Sequence, residues 1–316
     1  MIDGPADEAP GYKLRPPPVG SAPAALMYAS AACNPMHAGT SGADPAISGT
    51  EPKAVWGAGD FAPLAPAMTI VSEELCESVD LRARQAVLDV ACGTGNTALA
   101  AARRRCQVTG VDLLPELLER GRRRAEAEGL RLELRVGDGD ALEFGDARFD
   151  AVLSTFGVIF SSRPERAFSE MLRVCRPGGI IGLTAWVDEG FTGPLIFRCA
   201  ELLPAGSGLQ GCRSWADPEW LARQAGDRVA GLEVRRRVVR LRADSEESQA
   251  KGVARFLGPV AAALAARGTE ERSGLTEEIL ARVRANNRAT DGTVLVESPY
   301  IEVLARRAAD PPRQAI

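Results

Sequence analysis

Val87-Leu-Asp-Val-Ala-Cys-Gly-Thr-Gly-Asn96 decides the fold. It opens as a short apolar run carrying one acid, the pattern of a buried strand. Gly93 and Gly95 then turn the chain, and alanine-rich Asn96 to Arg105 follows as a helix. Strand, glycine turn and helix in that order let backbone approach a ligand closely and leave the free N–H groups of a helix start facing it. Such a loop marks a nucleotide site. Gly93-x-Gly95-x-x-Ala98 also satisfies the dinucleotide fingerprint, so this stretch alone does not separate a dehydrogenase from a methyltransferase.

Outward from the loop, strands and helices alternate. Upstream, Pro63 to Val79 has the apolar spacing of a helix, with Leu64, Met68, Val71, Leu75 and Val79 along one side, and Ala86 to Ala91 is the first strand. Downstream come strand Cys106 to Val111, helix Pro115 to Glu128, and strands Leu130 to Val136 and Phe149 to Ser154. Helix Pro164 to Cys175, closed by Pro177-Gly178-Gly179, leads to strand Ile180 to Trp186. That rhythm means βαβ units and a parallel sheet covered on both faces. After Trp186 it stops. Helices are expected at Phe191 to Leu203, Pro218 to Gln224, Glu246 to Arg267 and Thr276 to Arg288, with strands at Leu232 to Leu241 and Thr293 to Leu304.

The expected fold is therefore α/β: a doubly wound, mostly parallel seven-stranded, Rossmann-like sheet with a helical cap. Residues 1–53 hold nine of the 21 prolines, show no sustained period, and read as a flexible Pro/Gly/Ala-rich extension. Residues 54–190 form the cofactor-binding core, and 191–290 a mainly helical acceptor region that includes one core strand near 232–241. Residues 291–307 hold the final core strand, and 308–316 a tail.

Three carboxylates lie in or at the ends of the first three strands. Asp89 precedes the glycines, and an acid there suits a ligand bearing an ammonium group better than a pyrophosphate, which it would repel. Asp112 ends the second strand, where it can accept both ribose hydroxyls of either ligand type. Asp138, in Val136-Gly-Asp-Gly-Asp-Ala141, is placed to accept from an adenine amino group, or else belongs to a plain turn.

VLDVACGTGN, VTGVDLLPELLERGRRRA, VGDGDALEF, ARFDAVLSTFGVIF and EMLRVCRPGGIIGLTAW, taken in this order, resemble the successive motifs of class I S-adenosylmethionine-dependent methyltransferases. The similarity covers about residues 54 to 190 and is nearest the ubiquinone/menaquinone-biosynthesis-like, type 11 branch. It implies S-adenosyl-L-methionine as cofactor. Its methionine part would lie on Asp89, Ala91, Cys92, Gly93 and Gly95, with Asn96 and Thr97 at the helix start. Asp112 and Leu113 would take the ribose and an adenine face, and Asp138, Gly139 and Asp140 the adenine edge. Thr155 and Phe156 would lie near the sulfonium, and Trp56 resembles a tryptophan that helps cover the cofactor. Ala91 stands where many relatives have glycine, and its small methyl is expected to alter loop packing only slightly.

Methyl transfer from a sulfonium is an in-line displacement that positioning and a dry site accelerate, alignment alone contributing about 7 to 11 kcal/mol. A dedicated acid or base is not required. For a hydroxyl acceptor, Asp188, Glu189 and Tyr300 are candidate bases by their nearness to the carboxyl edge of the sheet. Phe160, Trp186, Phe191 and Tyr300 are candidate walls of an acceptor pocket, or simply core aromatics.

Composition narrows the partners. Of 316 residues 45% are hydrophobic and 25% charged, ordinary globular usage. A net charge of −4 offers no global positive field for a nucleic acid. No apolar run reaches the ~18 residues of a membrane span. Seven scattered cysteines without a CxxC pair fit a reducing cytoplasm and no zinc site, and Cys92 reads as a small packing residue. His37, the single histidine, lies in the N-terminal extension away from the motifs.

The expected partner is a small-molecule acceptor methylated at O, N or C, with secondary metabolism as one setting, and the oligomeric state is left open, a homodimer included. Two readings compete. One is an S-adenosylmethionine-binding protein that transfers no methyl, acting as a ligand sensor or cyclisation catalyst. The other is an NAD(P)-dependent oxidoreductase.

Overall fold

The computed structural model describes residues 12–14 and 52–309, so His37 and most of the N-terminal extension lie outside the described residues. The elements run β1 (Tyr12–Leu14), α1 (Pro52–Gly57), α2 (Thr69–Ser78), β2 (Ala86–Val90), α3 (Asn96–Arg103), β3 (Gln107–Asp112), α4 (Pro115–Ala127), β4 (Glu133–Val136), β5 (Phe149–Thr155), α5 (Pro164–Val174) and β6 (Cys175–Trp186). Then follow α6 (Thr192–Leu202), α7 (Pro218–Ala225), β7 (Val229–Ala243), α8 (Glu246–Phe256), α9 (Gly258–Ala265), α10 (Thr269–Asn286) and β8 (Val294–Arg307).

They build one sheet in the order β1-β7-β8-β6-β5-β2-β3-β4. β2 to β6 pair in parallel, while β8 inserts antiparallel between β6 and β7. The seven expected strands are β2 to β8. β1 adds an eighth at the edge, antiparallel to residues 232–234 of β7. The order in which successive strands are added reverses between β2 and β5, and the crevice beyond the carboxyl ends at such a switch is where open α/β sheets bind ligands.

Each face of the sheet carries its own core. Leu75 and Cys76 of α2, Val79 just beyond it, and Ala98, Ala100 and Ala101 of α3 cover one side. On the other, Phe168 of α5 meets Trp215 and Trp220 edge-on at 6.1 and 6.4 Å, which packs α7 beside α5.

Two expected helices are broken, and prolines break them. Pro66 has no N–H to donate and its ring would crowd the preceding turn, so Ala65–Met68 forms a tight 3-10 turn and the α-helix starts only at Thr69. Pro259 has no N–H to reach the carbonyl one turn back, at Arg255, and its ring would clash with that carbonyl, so a continuous helix cannot run through it. Leu257 is extended (ψ 107°), splitting Glu246 to Arg267 into α8 and α9, with Pro259 in the first turn of α9.

Helices α1, α6 and α8 gather around α9 above the carboxyl ends of the sheet. Glycine permits the closest of these contacts. A Cβ on Gly258 would stand 2.8 Å from both the Trp56 Cα and the Val55 carbonyl oxygen, so the α8–α9 turn meets α1 backbone to backbone. Among the described residues no helix is long and apolar enough to cross a membrane.

Candidate functional site

A cavity of about 710 Å³ opens at the carboxyl ends of β2, β3, β5 and β6 under α1, α6 and α8. That is well within the roughly 300–1,000 Å³ of small-molecule sites. Its lining divides in two. One half is the glycine loop with Asp89, Asp112, Asp138 and Asp140, and the other is dominated by apolar and aromatic side chains.

In the polar half the loop turns through left-handed backbone at Ala91 (φ 53°), Gly93 (φ 54°) and Gly95 (φ 82°). Left-handed backbone disfavours a residue with a Cβ by about 1–2 kcal/mol, a cost Ala91 bears and glycine would not. Room for its methyl comes from Gly157, where a Cβ would lie 2.7 Å from the Ala91 Cβ and nearer still to its carbonyl oxygen.

Each acid has a distinct environment. Asp89 is 1% exposed, and its carboxylate accepts the Ala98 N–H of α3 at 2.8 Å. Burial, with the nearby Asp112 charge adding to it, pushes its pKa up to about 8. Asp112 accepts the Gly93 N–H at 2.7 Å and the Leu114 N–H at 3.0 Å, one on each oxygen, and burial raises its pKa as well. Each oxygen keeps a second lone pair for a diol. Asp138 accepts the Asp140 N–H at 2.8 Å in an Asx turn. Asp140 is buried, and its carboxylate takes hydrogen bonds from Ser161, from Ser162 at 3.2 Å and from Arg163 at 3.4 Å. It therefore ties the loop after β4 to the loop after β5.

Polar side chains on α3 brace the roof. Asn96 donates to the Ala65 carbonyl at 2.7 Å and accepts from Arg124 at 2.8 Å. The Thr97 hydroxyl bonds Ser72 at 3.1 Å and Thr155 at 2.8 Å. The Cys92 thiol is held protonated, its pKa pushed well up by burial and by Asp89 and Asp112.

Between the halves stands an aromatic wall. Phe156 has φ 53°, is held by its N–H donating to the Thr184 hydroxyl at 3.0 Å, and stacks on Trp186 at 3.7 Å with 2° between the rings. Trp56 on α1 leans on Phe160 at 4.7 Å, and Phe191 closes the inner side, 1% exposed.

Trp56, Asp89, Ala91, Cys92, Gly93, Asn96, Thr97, Asp112, Leu113, Asp138, Gly139, Asp140, Thr155, Phe156, Phe160, Trp186 and Phe191 all line this one cavity. Gly95 does not; it turns the chain into α3. Nor does Tyr300, which sits beneath Phe156 with its hydroxyl donating to Glu74 at 3.1 Å, its pKa raised by burial and by Glu74. Asp188 pairs with Arg213, and Glu189 with Arg236 at 3.0 Å, both away from the cavity. None of the three candidate bases faces it. Sequence reasoning missed Met68, Leu195, Ile196, Arg242, Gln249, Val253 and Leu257, which also line it. Gln249 and Val253 are spaced i, i+4 on one face of α8, with Leu257 at its C-cap, a spacing present in the sequence but silent about what that face covers.

Comparison with known proteins agrees with this geometry. A family model described as a methyltransferase domain matches residues 87–179. An uncharacterized protein of Mycobacterium tuberculosis is 37% identical over 186 residues, covering 58% of this chain and 68% of that one. A demethylmenaquinone methyltransferase of Thermus thermophilus is 36% identical over 133 residues, 38% of this chain and 60% of that enzyme. The solved structure of a candidate methyltransferase from Bacillus halodurans superposes with a TM-score of 0.52 at 20% identity, over 75% of this chain and 99% of that one, and shows the fold alone. The chain belongs to the class I S-adenosylmethionine-dependent methyltransferases, and S-adenosylmethionine is the cofactor of that family.

Proposed function

We propose that the protein methylates an apolar small molecule bound beside S-adenosylmethionine in the cavity above β2, β3, β5 and β6. One observation carries this reading: a single cavity joins a carboxylate-rich glycine loop to an apolar, aromatic chamber. Asp112, with a free lone pair on each oxygen, would hold the ribose, and Asp138 with Gly139 the adenine edge. Asp140, its carboxylate already engaged, would fix that loop rather than touch the base. Asp89 and the backbone of Ala91 to Gly93 would face the methionine part.

When bound, the cofactor supplies an electrophilic methyl group on a sulfonium. The chain supplies position and dryness. Phe156, stacked on Trp186, and Trp56, against Phe160, would wall off water and hold the acceptor in line. The acids lining the cavity are all on the cofactor side, and no His or Tyr lines it among the described residues. Among the described residues the lining therefore offers no carboxylate, histidine or tyrosine base on the acceptor side, which suits an acceptor atom already nucleophilic, as an amine, a phenolate or a stabilised carbanion is. Residues 52–68 and the helical region of 191–290 would set acceptor choice.

Calorimetry with S-adenosylhomocysteine is the first test, and micromolar or tighter binding is expected. A folded protein that releases no heat refutes the reading. Mass-spectrometric detection of a methylated product among apolar amines, phenols and β-dicarbonyl compounds is the second.

A further inference from the structure

In the apolar chamber the polarity is graded. Gln249 and Val253 lie one turn apart on α8 and Leu257 follows at its C-cap; Gln249 is half-buried while Val253 and Leu257 are 5% and 8% exposed, so the wall runs from polar at its outer turn to apolar within. Next to that outer turn, Arg242 at the end of β7 also lines the cavity.

The arginines around it are neutralised. Arg240 and Arg288 both pair with Glu297 at 3.1 and 2.9 Å, and Arg284 pairs with Glu246 and Glu247 at 3.2 and 3.3 Å. Arg242 has no carboxylate within ion-pairing distance among the described residues, and its guanidinium makes only a 3.5 Å contact with the Arg240 carbonyl. A cation without a counter-ion, beside a half-buried amide and above an apolar wall, has the chemistry of a seat for an organic anion. Lys53, on α1, is the other cation of the lining.

We propose that the acceptor is an amphipathic organic acid, its apolar body against Val253, Leu257 and the aromatic wall and its anionic group on Arg242 and Gln249. This rests on the proposed function and names the substrate class of the same cavity. An anion anchored at the outer end fixes the register of the apolar body in the chamber, and with it which atom meets the methyl group.

The test uses the full chain saturated with S-adenosylhomocysteine and three probes of one length: octanoate, 1-octanol and octylammonium. Octanoate is expected to bind at least about tenfold more tightly than the other two, as a charge-assisted contact gives. This preference should weaken at high salt. Arg242→Gln should abolish it, while Arg242→Lys and Lys53→Gln keep it. All three substitutions are at exposed positions, so unchanged melting temperatures are expected. Equal binding of the three probes, or a preference that survives Arg242→Gln or is lost in Lys53→Gln, overturns the proposal and leaves the methyltransferase reading standing. Failure to bind S-adenosylhomocysteine in the first place overturns both.

Discussion

Asp89→Asn should remove the pH dependence that one buried acid imposes on stability. In the folded chain the Asp89 pKa is raised from 3.8 to about 8, chiefly by burial. Between those values the folded state holds a proton that the unfolded chain releases. By linkage, stability then falls as pH rises through this window and is greatest below it. One proton of difference corresponds to roughly 1 kcal/mol or slightly more per pH unit, so from pH 5.5 to 7.5 the wild type should lose about 3 kcal/mol that the variant does not. Asparagine keeps an oxygen to accept the Ala98 N–H bond, so the end of α3 remains capped. Urea unfolding of both proteins across that range is the assay, with the difference between them as readout so that the other titrating groups cancel. Near-equal stability at acid pH and a growing advantage for the variant toward pH 7.5 are expected. Parallel curves would refute the placement of Asp89 as a buried, largely protonated acid.

If the methionine ammonium of the cofactor faces Asp89, binding ionises it: affinity for S-adenosylhomocysteine should rise between pH 6 and 8, with proton release visible in buffers of different ionisation enthalpy, and Asp89→Asn should flatten both. Asp112→Ala should weaken that ligand by about 1–3 kcal/mol, since charge-assisted bonds to the ribose are lost; unchanged calorimetric affinity would argue against the ribose assignment. Gly157→Ala forces a methyl onto the Ala91 methyl and carbonyl and should cost about 1–3 kcal/mol in thermal unfolding. Adding Ala91→Gly should restore only part of that loss, because the carbonyl oxygen remains in the way.

The parallel half of the sheet was legible because its signals are local. An apolar strand, two glycines and an alanine-rich helix within Val87 to Arg103 specify a βα unit wherever they occur, and repeating the pattern specifies the sheet. Helix breaks at Pro66 and Pro259 were equally local, yet apolar periodicity runs straight through both and masked them. Tyr300 was misjudged for another reason. A strand's alternation gives two faces but not which one borders a cavity, and here Tyr300 lies on the face toward α2, bonded to Glu74.

By itself the sequence determined the order of strands and helices, the glycine loop, and the acids at Asp89, Asp112 and Asp138, since each depends on residues close together along the chain. Tertiary structure alone decided that Asp140 is consumed by Ser161 and Ser162, that Gly157 makes room for Ala91, and that Arg242 and Gln249 line the same apolar chamber. These residues are separated by tens of positions or come together only when α8 folds back over the sheet. What they do depends on which partners reach them, and only the packed chain fixes that.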